Sequence, residues 1–136
     1  EYGKSEIIHR GKKIAVLGVG SMIPSCLEVC QGLKADGYDP TFVNARFVKP
    51  LDVDLLDEFA KDHNLFVTVE ENVKSGGYGE HVSAYMEACH PEARVLSASV
   101  WDRFVPQGNV DSLRTRIGLG VADIRQAIED SEEVRE

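Results

Sequence analysis

The sequence predicts an open α/β sheet, mostly parallel, with helices packed on both faces. Three observations carry this. Lys13 to Gly18 contains an unbroken apolar run, Ile14-Ala15-Val16-Leu17, as expected of a strand covered on both sides. Strand-like and helix-like segments then alternate along the chain. That order calls for parallel strands joined by right-handed helical crossovers. Finally, the apolar runs end in glycine, proline or acidic residues, the punctuation of strand-to-helix turns.

Each element has its own reason. Ser5 to His9 is a short strand candidate, followed by a turn at Gly11. After Lys13 to Gly18, the Gly18-Val19-Gly20-Ser21 turn opens a helix. Pro24 suits its first turn, and Cys26, Leu27, Cys30 and Leu33 supply its apolar face. Gly37 is placed to stop that helix in a left-handed cap. Thr41 to Val48 reads as a strand broken by Pro50. Asp52 can cap a helix over Val53 to Asp62, with Leu55, Leu56 and Phe59 inward and Asp54, Asp57 and Glu58 loading acid near its positive end. Leu65 to Val69 is a further strand. Gly76-Gly77-Tyr78-Gly79 leads into a helix ending about Cys89, and Val95 to Val100 is the last strand. Asp111 to Arg116 and Val121 to Glu129 read as short helices split by Gly118-Leu119-Gly120.

At 136 residues the chain is one domain by length, assigned to residues 1–130, with residues 131–136 as an acidic, solvated tail. Fifteen basic against 23 acidic side chains give a net charge of −8, which argues against nucleic acid as a partner. No run approaches the ~18 apolar residues of a membrane span, and no signal-peptide pattern opens the chain. The three cysteines, Cys26, Cys30 and Cys89, are odd in number and lack a disulfide-framework spacing, so a reducing cytoplasm is expected. Glu1 rather than Met at the start fits a piece of a longer polypeptide or a processed terminus.

Candidate site residues cluster where strands end. Gly18, Gly20 and Ser21 have the context of a phosphate-binding turn. However, the third glycine of a dinucleotide fingerprint is replaced by Ile23, and no acid lies in Thr41 to Val48, so a plain tight turn is the simpler reading. Glu70 and Glu71 are neighbours on a strand and point to opposite faces. One can face the crevice while the other satisfies a helix N-terminus or a basic partner. Gly76 and Gly77 offer backbone N–H groups to an anion, against the plainer reading of close backbone approach. Arg46 and Lys49 are the local cations for a phosphate or for another domain's acidic surface, or simply surface partners of Asp52 or Asp54 worth ~0–1 kcal/mol. Arg103 leaves the last strand between Trp101 and Phe104, whose rings either pack inside or dock on a neighbour. The cysteines share an apolar helix face with leucines, which favours core packing over zinc. No catalytic residue and no metal ligand is assigned.

Three segments carry a family resemblance: Arg46-Phe47-Val48-Lys49-Pro50-Leu51-Asp52, Val67-Thr68-Val69-Glu70-Glu71-Asn72, and Asp102-Arg103-Phe104-Val105-Pro106-Gln107-Gly108. From about residue 3 to 128 the chain resembles the C-terminal domain of the 1-deoxy-D-xylulose-5-phosphate synthases, thiamine-diphosphate enzymes of the transketolase family. The resemblance implies a three-layer α/β/α fold whose five-stranded, mostly parallel sheet has one antiparallel edge strand, a role Ser5 to His9 can fill. It implies a homodimeric parent transferase serving isoprenoid, thiamine and pyridoxal biosynthesis. In that parent, thiamine diphosphate and magnesium condense pyruvate with glyceraldehyde 3-phosphate and release carbon dioxide. The family's Gly-Asp-Gly motif for the diphosphate and metal belongs to another domain and is absent here. This chain is therefore expected to support the parent's other domains and second subunit while holding no cofactor itself. Transketolase and the beta subunit of a 2-oxo-acid dehydrogenase share the implied fold and remain alternatives. So does a free-standing module binding a small ligand beside Gly18 to Ser21.

Overall fold

The computed structural model describes residues 4–19, 22–45, 51–71, 77–100 and 121–130. Nine elements occur among them. In chain order they are β1 (Glu6–His9), β2 (Lys13–Gly18), α1 (Ile23–Ala35), β3 (Thr41–Asn44), α2 (Val53–Phe59), β4 (His63–Glu71), α3 (Tyr78–Cys89), β5 (Arg94–Val100) and α4 (Val121–Asp130). The strands form one five-stranded sheet in the order β1-β3-β2-β4-β5. Strands β2 to β5 are parallel, and β1 runs antiparallel against β3 at the edge. This is the architecture expected from the sequence.

Period-two alternation sorts β2 between two cores. Ile14 and Val16 face a layer built on α1 and α4, with Cys26, Val29, Cys30, Leu33, Ile124 and Ile128 buried against them. Ala15 and Leu17 face the opposite layer, where α2 supplies Leu55, Leu56 and Phe59 and α3 supplies Tyr78, Val82 and Met86. Burial in this double core raises the thiols of Cys26 and Cys30 to about 12, so both behave as packing groups.

Helix α1 stops as predicted. Gly37 has φ +101°, its N–H bonds the carbonyl of Lys34, and the N–H of Tyr38 bonds that of Leu33. Those two bonds define a Schellman cap, and Tyr38 adds the accompanying contact with the core. Leu27, however, is 45% exposed instead of facing inward. Cys26, Val29, Cys30 and Leu33 already fill one stripe, and Leu27 lies 100° round the helix from Cys26. The stripe's missing member was Val29.

Two boundaries also shift. Helix α2 ends at Phe59, not Asp62. Lys61 and Asp62 tighten into bonds with Glu58 and Phe59 as the chain turns into β4, where the Asp62 carbonyl receives the N–H of Lys13. Strand β4 runs from His63 to Glu71, longer at both ends than the apolar run Leu65 to Val69. His63 pairs with Lys13 of β2 at one end, and Glu70 and Glu71 pair with Ser99 and Val100 of β5 at the other. The predicted helix over Asp111 to Arg116, residues 46–48 of the predicted strand, and the tail 131–136 lie outside the described residues.

Candidate functional site

Because β2 to β5 are parallel, Gly18, Asn44, Glu71 and Val100 stand at one rim of the sheet. After β2 the chain passes to α1 and next pairs as β3 on one side. After β4 it passes to α3 on the opposite face and then to β5 on the other side. The two connections diverge between β2 and β4, a topological switch point, where open α/β sheets form their ligand crevice. Gly18 and Val19 lie on one lip, where the Val19 N–H bonds the Val69 carbonyl at 3.1 Å. Glu70, Glu71 and Gly77 lie on the other.

Glu70 is the best-defined group of this crevice. Its side chain is buried, with the residue 6% exposed, yet both carboxylate oxygens are satisfied. Oε1 accepts from the Tyr78 N–H and Oε2 from the Gly79 N–H, each at 2.8 Å. A negative charge against two orphan donors at the positive end of a 12-residue helix is a stable arrangement. Of the two outcomes open to the Glu70-Glu71 pair, Glu70 takes the helix N-terminus. Gly79 permits this. A Cβ there would lie 2.7 Å from Thr68 Oγ1, 2.8 Å from Glu70 Oε2 and 3.0 Å from Ser97 Oγ. The Thr68 hydroxyl itself is fully buried and has no hydrogen-bond partner among the described residues.

These contacts bear on the two glycine turns named from the sequence. Of the Gly76-Gly77-Tyr78-Gly79 stretch, the N–H groups of Tyr78 and Gly79 are bonded by Glu70, so the intramolecular carboxylate takes the two donors that open α3. Gly18 is spent on packing: a Cβ would meet Cys26 Sγ at 2.6 Å. That is a close helix–strand approach, in line with the tight-turn reading. Gly20, Ser21, Arg46, Lys49, Gly76 and Arg103 lie outside the described residues, as does the side chain of Glu71.

Tyr78 and Asp52 extend the site toward α2. Asp52 caps that helix through Leu55 N–H at 3.3 Å and receives the Ser5 N–H at 2.8 Å, tying the start of β1 to the rim. Tyr78 is buried, and burial first, then the charges of Asp52 and Glu70, push its phenol well above the ordinary range. It stays a neutral phenol at any physiological pH.

One constellation escaped the sequence reading. At the other end of the sheet Thr41 Oγ1 lies 2.7 Å from His63 Nε2, and His63 Nδ1 lies 2.6 Å from Asp62 Oδ1 and 3.0 Å from the Phe59 carbonyl. The order hydroxyl–imidazole–carboxylate is that of a nucleophilic triad. Access is missing, since Thr41 is wholly buried and its oxygen accepts the Gly11 N–H. With Nδ1–H directed at Asp62 and Phe59, the Thr41 hydroxyl donates to Nε2, and the cluster is a structural lock. Only the register that brings β3 beside β2, and β2 beside β4, unites residues 22 apart, and spacing alone does not reveal it. The nearby cleft of about 180 Å³ between Lys12, Lys13 and the Gly37–Asp39 turn lies on that same far end.

The comparisons with known proteins agree with this architecture. Residues 3–124 match the family model described as transketolase, C-terminal domain. The chain belongs to the transketolase C-terminal domain family. Among this domain's curated relatives are the 1-deoxy-D-xylulose-5-phosphate synthases of Dictyoglomus thermophilum (42% identical over 128 residues, 94% of this chain and 21% of the relative) and Lachnoclostridium phytofermentans (40% over 124 residues, 90% and 20%). The domain thus spans about a fifth of the length of the relatives it matches. A solved split-gene transketolase, an inactive β4 tetramer, superposes with TM-score 0.79 at 28% identity over all of this chain and 43% of its own. The transketolase of Campylobacter jejuni shares the fold, with TM-score 0.57 at 17% identity over 95% of this chain and 19% of its own.

At Gly18 a Cβ would meet Cys26, and Glu70 holds the Tyr78 and Gly79 N–H groups at the start of α3. Among the described residues no three His, Cys, Asp or Glu side chains are grouped to hold a metal ion.

Proposed function

We propose that this chain serves as the C-terminal domain of a 1-deoxy-D-xylulose-5-phosphate synthase, completing the enzyme from outside its cofactor site. The observation that carries the reading is 42% identity across 94% of the chain to a synthase of which it spans 21%. The split-gene transketolase, at 28%, is more distant in sequence, which favours a synthase over a transketolase. In this reading residues 1–130 form the working domain and residues 131–136 a solvated tail. Thiamine diphosphate and magnesium bind on other domains of the same homodimeric, cytoplasmic enzyme, which joins pyruvate to glyceraldehyde 3-phosphate. The rim of β2 and β4 faces those domains, with Arg46, Lys49 and Arg103 as its cationic contacts. No helix among the described residues is long and apolar enough to cross a membrane.

A domain exchange tests this. The C-terminal domain of the Dictyoglomus thermophilum synthase is replaced by this chain, and carbon dioxide release from pyruvate plus glyceraldehyde 3-phosphate is followed. Turnover above that of the truncated synthase is the expected result. A folded dimeric chimera with no more activity than the truncated enzyme counts against the reading.

A further inference from the structure

Helix α2 is only seven residues long, too short to be stable from its own backbone bonds. Leu55, Leu56 and Phe59 hold its inner face. Every acid of the helix and its cap is engaged sideways. Toward β1, Asp52 accepts the Ser5 N–H at 2.8 Å, Asp54 meets Lys4 at 2.9 Å, and Glu58 meets Arg10 at 3.1 Å. Toward α3, one oxygen of Asp57 receives the Tyr85 hydroxyl at 2.7 Å and lies 2.7 Å from His90 Nε2. We propose that α2 is a laterally anchored flap, which opens as a unit when its four carboxylates are neutralised or screened while the rest of the domain stays folded.

The surrounding charges support one direction of response. Lys4 also reaches Asp52 at 3.8 Å, and the Arg10 guanidinium sits 5.1 Å from the centre of the Phe59 ring, so the cations flanking β1 converge on α2. On the α3 side, Glu92 stands 3.9 Å from His90 Nδ1, and Cys89 neighbours Tyr85. Tyr78 adds a neutral phenol near Asp52, and Lys61 and Asp62 follow the helix, Asp62 being held by His63. The hydrogen bonds from His90 and then Tyr85 hold the Asp57 carboxyl below the ordinary aspartate range. A depressed carboxyl stabilises the fold above its unfolded range, and that contribution is lost as pH falls through its lowered folded value. The Lys4–Asp54 and Arg10–Glu58 pairs are solvent-exposed, so each is weak and salt-sensitive, while the contacts of Asp52 and Asp57 are part-buried. Their effect comes from acting together on one short element. By contrast, α1 spans 13 residues, buries four of them, and carries one ion pair, between its C-cap Asp36 and Arg125 of α4 at 3.2 Å. The inference does not depend on the proposed function.

Site-resolved amide exchange on the whole chain, corrected for intrinsic chemistry, is the test. Between pH 7 and pH 3, and separately on raising NaCl to 1 M at pH 7, the Leu56 to Ala60 amides should lose about tenfold in protection, while α1 and β2 amides change less than about twofold. Asp57→Asn should reproduce several-fold of that loss at pH 7 and blunt its salt dependence; Glu58→Gln serves if that variant does not fold. Protection in α2 that stays constant in both series, or falls only together with α1, overturns the proposal. So does an Asp57→Asn protein whose α2 exchange matches the parent's.

Discussion

At the scale of single residues, Glu70 decides what the rim can do. Among the described residues its carboxylate is met by two N–H donors at a helix terminus, so Glu70→Gln replaces one acceptor by a donor facing a donor. A loss of about 1–3 kcal/mol in unfolding free energy is expected, measured by urea titration. Thr68 gives the opposite expectation. Its buried hydroxyl lacks a partner among the described residues, and Thr68→Val keeps the shape while removing the stranded group. The variant should match the parent or exceed it by about 1 kcal/mol in the same titration. A clear loss would mean that the hydroxyl is bonded after all. Part of this chemistry was legible in the sequence, since strand alternation separates Glu70 from Glu71 and left a helix N-terminus or a basic partner open to one of them. Asp52 as a cap was legible too. Its second bond, to the Ser5 N–H, was not, because it depends on β1 lying beside β3 and under the start of α2.

At the scale of elements, the turns show which local rules the fold enforces. Lys13 adopts φ +66°, and the Ile14 N–H closes onto the Lys12 carbonyl at 2.8 Å, a γ-turn of the rarer, strained hand. Glycine takes positive φ without the Cβ penalty, so Lys13→Gly should raise stability by roughly 1 kcal/mol despite glycine's greater freedom in the unfolded chain. At Gly37 the same physics runs in reverse: Gly37→Ala puts a methyl group on a left-handed cap and should cost about 1 kcal/mol, read as a lowered thermal midpoint. Gly37 could be read from sequence because a glycine after an amphipathic run marks a helix stop. Lys13 could not, since its conformation is imposed by the Asp62 carbonyl and the bulge where β2 meets β4. The same limit applies to Asp57 and Glu58. Their position in α2 suggested a helix-dipole role, but side-chain partners on α3 and β1 claim them.

Across the whole molecule, alternating apolar runs were enough to specify a doubly wound sheet, because each strand has to be covered on both faces. Which crevice residues would meet other domains in the proposed parent enzyme was not legible, since strand and helix periodicity reports only on this domain's own core. Among the described residues Glu70 holds the donors that open α3, and Gly18 and Gly79 allow close packing at the rim. Calorimetric titration of thiamine diphosphate with magnesium into the chain tests that most directly. No saturable heat is predicted up to millimolar cofactor; stoichiometric binding with a micromolar dissociation constant would contradict it.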